Sequence, residues 1–432
     1  MLKKISSPLA GKAIQPNIDG LNKLYAHICL FDSNVNPSNA GIVKHPQLLA
    51  VGCLQELAVK TGNDAFAQLQ QFCDRNQGWK FGYLSYDLKN ETEELKSEST
   101  DGLAFPLLHF FSPKVVIETT ANAHILHFDD EHVSEEEAKA VYKAAYAAAP
   151  ATAKPHSVTG IKNRITKEEY LSAFNELKSH ISRGDIYEIN FCQEFFSEHA
   201  EIDPPEMYAR LNRLSEAPFA AFCRFGDHYL LSSSPERFLQ KKGATLISQP
   251  IKGTIRRAAN PTEDERLKSQ LRNDPKEQNE NVMIVDLVRN DLSRIAKKGT
   301  VQVDELFGIY SFKQVHQMIS TVSCGLKENT SFTEILKATF PMGSMTGAPK
   351  VRAMQLIEQY ESMKRGLYSG AVGYIDPAGD FDLSVVIRSI LYNSANHYLS
   401  FMTGSAITSN ADGEQEYAEC LLKARAMFDA LK

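Results

Sequence analysis

Between residues 218 and 254 four apolar runs, AAFCRF, HYLLSSS, FLQKKG and ATLISQP, follow one another with only turns between them. Consecutive strands with no helix between them pair antiparallel, since a parallel pair needs a long crossover. The pattern recurs later: Gly370–Ile375, a turn at Asp376–Asp380, Leu383–Tyr392, then Asn396–Met402. Nearer the start, Ala26–Phe31, Gln47–Leu54, Val115–Ile117 and His124–Phe128 are similar runs, and Ser134–Ala148 is an alanine-rich helix. Strands and helices thus come in runs rather than in strict alternation, which predicts an α+β fold with antiparallel sheets, not a doubly wound one.

With 432 residues the chain exceeds the usual single core. The stretch 149–155, Ala-Pro-Ala-Thr-Ala-Lys-Pro, is a linker by composition, because its prolines block helix continuation. A boundary near 156 divides an N-terminal subdomain, 1–155, from a second part, 156–432. Past it, Thr166 and Glu169 form a capping box, with Ile165 as staple, for a helix over 167–182 that stops at Gly184.

A net charge of −6 argues against nucleic acid or an anionic membrane as partner, since both need a basic face. No run approaches the roughly 20 apolar residues of a membrane span, and Lys3 and Lys4 precede no apolar stretch, so neither a span nor a secretory signal is expected. The seven cysteines include no C-x-x-C pair, which argues for free thiols in a reducing cytoplasm over a zinc site or disulfide framework.

Two helices carry paired acids. At Asp274-Pro275-Lys276-Glu277 the aspartate is the N-cap, the proline sits at N1 and the glutamate closes the box; Glu277 and Glu280 then share a face. Near the C-terminus, Tyr417, Cys420, Leu421, Ala424, Met427, Phe428 and Leu431 form an apolar stripe. Glu416, Glu419 and Lys423 form a second stripe roughly 100° from it, at the border of the core rather than opposite it. Carboxylates there need a partner. Two i, i+3 glutamate pairs suit a hard divalent cation such as Mg²⁺, and Glu–Lys423 ion pairing is the competing account.

These helices belong to a longer series of motifs. GDIYEINFCQEF (184–195), SSSPERFL (232–239), QPIKGTIRR (249–257), DPKEQNENVMIVDLVRNDLSRI (274–295) and KQVHQM (313–318) are followed by FPMGSMTGAPKVRAM (340–354), YSGAVGYID (368–376), VVIRS (385–389) and EQEYAECLLKA (414–424). In this order, over 160–432, they resemble the chorismate-utilising enzymes, which include anthranilate, aminodeoxychorismate, isochorismate and salicylate synthases. The resemblance implies antiparallel sheets packed as a sandwich with helices outside. It implies that Glu280, Glu416 and Glu419 hold Mg²⁺, with Glu277 joined through water. Tyr368 and Arg388 would take one substrate carboxylate, and Lys423 would lie near the other. Thr346 would face the ring, Gly404 would line the site, and His316 would be the active-site histidine.

The segment Pro250-Ile251-Lys252-Gly253-Thr254 is the most specific. Anthranilate synthases resemble it with PIAGT and isochorismate synthases with PLAG[ST]; a lysine in third place resembles the aminodeoxychorismate synthase component I branch. That implies chorismate as substrate, Lys252 as covalent nucleophile and Glu236 as the acid for the leaving hydroxyl. It also implies a separate glutamine amidotransferase subunit supplying ammonia, with the product going to 4-aminobenzoate and folate. A nucleophilic lysine needs a lowered pKa, for which Mg²⁺ and the arginines at 256 and 257 are the expected cause. The chain departs from the family wording at Glu188 (YEIN for YQVN), Ala406 and Gly413.

Overall fold

The computed structural model describes residues 2–8, 15–35, 45–62, 64–148, 158 and 160–432. The expected linker at 149–155 and the boundary near 156 lie outside them. Two sheets dominate, one of twelve strands and one of ten. Strands from both sides of residue 156 enter both sheets. His27–Asp32 pairs with Phe219–Phe225 in the first, and Lys80–Leu84 pairs with Ala371–Ile375 in the second. These pairings are antiparallel, as the runs of strands predict.

The sheets form a sandwich with helices on the outer faces. Outside the first sheet, Met207 and Leu211 of helix Pro204–Ser215 and Met427 of helix Gly413–Ala430 join strand residues such as Leu30 and Leu231. Outside the second, Val285 and Val288 of helix Pro275–Ser293 and Leu69 of helix Ala65–Arg75 do the same. Helix Lys167–Ser182 has the expected bounds, and Thr166 and Glu169 exchange both bonds of the capping box. Among the described residues no helix is long and apolar enough to cross a membrane.

Two features differ from the sequence reading, and both matter for the site. The hairpin series at 218–254 does not stay in one sheet. His228–Ser234 belongs to the first sheet and Arg237–Lys242 to the second, so the chain crosses between them at Pro235-Glu236. Proline offers no N–H to a ladder and ends the strand there. The expected strand Leu383–Tyr392 is likewise two: Phe381–Val385 in the second sheet and Ser389–Asn393 in the first. The break holds Arg388 at φ +53°. The two crossings bond to each other, Val385 N–H to the Glu236 carbonyl at 3.0 Å and Ser233 N–H to the Arg388 carbonyl at 3.2 Å.

A buried ion pair ties further pieces to this region. Arg365 donates to Glu361 through Nε and Nη2, at 2.8 and 2.6 Å, and to the carbonyls of Met345 and Asn190 at 2.6 and 2.8 Å. Glu361 also accepts the Cys192 N–H at 2.9 Å. Arg365→Met leaves an uncompensated carboxylate at a position 2% exposed and should cost about 3–5 kcal/mol, read from urea unfolding.

Candidate active site

The site forms where strands from the two sheets approach each other. Ile251–Arg256 lies at the end of the second sheet, and its pairing with Val315–Gly325 shifts register between Ile251 and Thr254. The bulge holds Lys252 and Gly253, and a bulge re-aims the side chains beside it. Gly253 has φ +93°, and a Cβ there would meet Glu277 Oε2 at 3.0 Å. Glycine thus permits both the turn and the close approach of helix Pro275–Ser293. Across the gap, Glu188 opens strand Glu188–Ser197 of the first sheet. Lys252 and Glu188 form an ion pair with side chains 10% and 6% exposed.

Lys252 does not have the lowered pKa that its expected role implies. Burial pulls its ammonium down, but Glu188 and then Glu280 outweigh burial and hold it above the ordinary lysine value. The two arginines do not act as expected: Arg257 pairs with Asp264 and Arg256 is exposed.

Glu236, at the crossing, is 4% exposed. Burial raises its pKa to about 7, against the opposing pull of a Ser344 hydrogen bond and of Lys252. It is therefore a carboxylic acid that keeps a proton near neutrality, as a general acid must.

The four expected metal ligands lie on two neighbouring helices and act on one another's charge. Asp274 caps its helix through the Lys276 and Glu277 N–H groups, but Glu277 returns no bond, so the expected box does not close and its carboxylate stays with the cluster. On the C-terminal helix the buried residues include Glu416, Cys420, Ala424 and Met427, whereas Leu421 is 39% exposed. The apolar stripe is thus turned from the expected one, toward Glu416. Burial raises Glu280 to about 7 and raises Glu416 and Glu277 as well. Glu280 Oε1 is buried with no hydrogen-bond partner. Glu419 is held below the usual value because Lys423, at 2.6 Å, outweighs burial.

A buried set of oxygen donors with an orphaned lone pair fits a hard divalent cation. Among the described residues, however, no three of these carboxylates bring oxygens within 4.8 Å of one another. Lys276 stands between two of them, 3.4 Å from Glu416 Oε1 and 3.9 Å from Glu280 Oε1.

Of the expected substrate residues, Arg388 is half-buried with no hydrogen bond or ion pair to its guanidinium among the described residues. Burial lowers its pKa, while nearby Tyr368 and Glu419 oppose that. Tyr368 is 3% exposed and its hydroxyl meets Cys192 Sγ at 3.7 Å. Lys423 donates to the Gly404 carbonyl at 2.9 Å. Thr346 is fully buried; its hydroxyl bonds within its own loop, and its carbonyl accepts the Asn190 N–H at 2.8 Å.

His316 stands apart. It is 1% exposed, with Nδ1 2.7 Å from the Ser311 hydroxyl and Nε2 3.1 Å from Asp264 Oδ1. Both ring nitrogens are occupied, and it pairs with Ile255, some 10 Å of strand from Lys252. Alternation along the strand turns its neighbour Gln317 to the opposite face, where the side-chain oxygen is buried without a partner. Glu188 and Lys276 are the site residues that sequence reasoning missed. Glu188 was visible only as a departure from the family wording.

The chorismate binding enzyme family matches residues 29–429. The chain belongs to that family. It is 34% identical to aminodeoxychorismate synthase component 1 of Salmonella typhimurium, over 82% of this chain and 77% of that protein. It is 30% identical to the protein of the same name from Klebsiella aerogenes, over 93% and 90%. The crystal structure of anthranilate synthase component I from Streptococcus pneumoniae TIGR4 superposes with a TM-score of 0.76 at 26% identity, over 88% of this chain and 91% of that one.

Glu236 gives a pH test. Its folded pKa lies above the unfolded value, so the folded state holds more protons between pH 4.5 and about 7, and stability falls as pH rises through that window. Glu236→Gln removes this loss. The variant should match wild type near pH 4 and gain on the order of 3 kcal/mol near pH 8, read from denaturant unfolding at both pH values.

Proposed function

We propose that this chain aminates chorismate, as the first component of an aminodeoxychorismate synthase whose ammonia comes from a glutamine amidotransferase partner. The observation that carries the reading is Lys252, a buried lysine in a bulge facing Glu188, with Glu236 close enough to act on its charge. The names of the Salmonella and Klebsiella relatives support it, and "component 1" in them supports a partner.

The residues divide the work as follows. Arg388, whose guanidinium has no hydrogen bond or ion pair among the described residues, receives one substrate carboxylate in the bidentate manner that suits guanidinium. Lys423 faces the other. Lys252 passes a proton to Glu188 and its neutral Nζ bonds to ring carbon 2; the double bond shifts and the C4–O bond breaks. Glu236 gives its proton to the departing hydroxyl, which leaves as water. Ammonia then bonds to carbon 4, the double bond shifts back, and Lys252 leaves carbon 2 as the amine. Two successive displacements put nitrogen on the carbon that carried oxygen, with configuration retained. Glu280, Glu416 and Glu419 would hold Mg²⁺, with Glu277 joined through water; the ion would supply positive charge for a substrate carboxylate.

Lys252→Ala should lose most aminodeoxychorismate formation from chorismate and ammonium. Intact-protein mass spectrometry should find a chorismate-derived adduct on the wild type and none on the variant. Unchanged rates in the variant would overturn the covalent route, and anthranilate as the main product would overturn the assignment. Chelation should abolish turnover and Mg²⁺ restore it; activity that persists in excess EDTA would remove Mg²⁺ from the account.

A further inference from the structure

A second cluster of ligating side chains lies away from the chorismate site, where the first sheet hands the chain to the second. His27 opens strand His27–Asp32, Cys53 lies in the connection after Gln47–Val51, and Glu56 lies on Gln55–Val59. The first two strands belong to the twelve-stranded sheet and the third to the ten-stranded one. One ligand atom from each of the three residues lies within 4.8 Å of the other two. Among the described residues no other three His, Cys, Asp or Glu side chains converge in this way.

The orientation matters more than the proximity. His27 Nε2 is 2.7 Å from Glu56 Oε2, an ion-pair contact poorly aligned for a hydrogen bond. The ring edge therefore does not aim at the oxygen beside it. His109, on strand Leu108–Ser112, approaches the same oxygen at 3.1 Å. A histidine bonded to a ligating carboxylate fixes that carboxylate's orientation. Beneath lies an aromatic floor, with Phe111 at 5.2 Å from the His27 ring and Phe225 at 4.9 Å from the His109 ring.

The geometry points to a zinc-class site formed by His27 Nε2, Cys53 Sγ and a Glu56 oxygen, with His109 positioning Glu56. Imidazole, thiolate and carboxylate together suit Zn²⁺, and three protein ligands leave a fourth position for water. On binding, the Cys53 thiol gives its proton to solvent and the sulfur bonds to the metal, with no change in oxidation state. The site is independent of the chorismate reading, and its open fourth position lets water or a small ligand complete the metal's shell.

The test uses the intact, chelator-stripped chain, titrated with Co²⁺ in excess Mg²⁺ so that the acidic helices are occupied. Thiolate-to-cobalt charge-transfer absorption should appear, saturate at one equivalent and vanish on adding Zn²⁺. Cys53→Ser should abolish that absorption, and His27→Ala should weaken cobalt binding at least tenfold. His109→Ala should weaken it by about 10–100-fold while leaving the absorption. A wild-type chain without the band, or a Cys53→Ser chain that keeps it, would overturn the site. Since the wild-type band and the conservative serine variant decide the question, a folding defect in His27→Ala would not.

Discussion

The buried Arg365–Glu361 pair is the constraint on which the site's geometry depends. A guanidinium 1% exposed must have its donors satisfied, because an unpaired buried charge costs several kcal/mol. Its satisfied arrangement takes one carbonyl from the loop carrying Thr346 and another from the strand that begins at Glu188. Glu361 in turn accepts the N–H of Cys192, two residues beyond Asn190. Two chain segments separated by about 150 residues are thereby set against each other by charge. Close packing completes the clamp: Gly347 lies so near the Glu188 carbonyl that a Cβ there would come within 2.1 Å of it. The position of Glu188, and through it that of Lys252, thus follows from an ion pair that itself touches neither Glu188 nor Lys252.

The two inter-sheet crossings supply the remaining order. In a sandwich, most side chains belong to an inner or an outer face of one sheet. A residue at a crossing belongs to neither, and it can be buried while pointing along the gap. Glu236 and Arg388 both occupy such positions, and the hydrogen bonds between their crossings lock them side by side. That explains why a carboxyl group can be buried there without a full counterion, and why a guanidinium has no ion pair among the described residues. Glu236 meets a Ser344 hydrogen bond and the charge of Lys252, and the Arg388 guanidinium has no hydrogen bond or ion pair among the described residues.

Much of this was legible in the sequence. The succession of strands predicted antiparallel sheets, and helix 167–182 was read to the residue because caps and periodicity are local. The acidic helices were legible as amphipathic faces with carboxylates at the border of the core. The crossings were not legible, since a strand that changes sheets and one that runs on have the same alternation; only Pro235 marked the first, and nothing marked Arg388. His316 was read from its motif, yet the side of a strand that faces the site depends on register against Ile255, which no single segment encodes. The His27, Cys53 and Glu56 cluster drew its members from three separate segments, so counting cysteine spacings could not reveal it.

Electrostatics joins these parts into one arrangement. Around Lys252 the chain places Glu188, Glu280, Glu277, Glu416 and Glu419, balanced by Lys252, Lys276 and Lys423. Lys276 stands between Glu280 and Glu416, and Lys423 against Glu419, where cationic charge is needed. A divalent cation held by Glu280, Glu416 and Glu419 would supply further positive charge beside these ammonium groups. Lys252 would then lose part of the field that Glu280 and Glu419 exert on it, and burial would weigh more heavily. The group that now opposes burial most strongly, Glu188, would remain as the nearest base. The same carboxylates that hold Lys252 protonated are therefore the ones whose neutralisation would favour its neutral form.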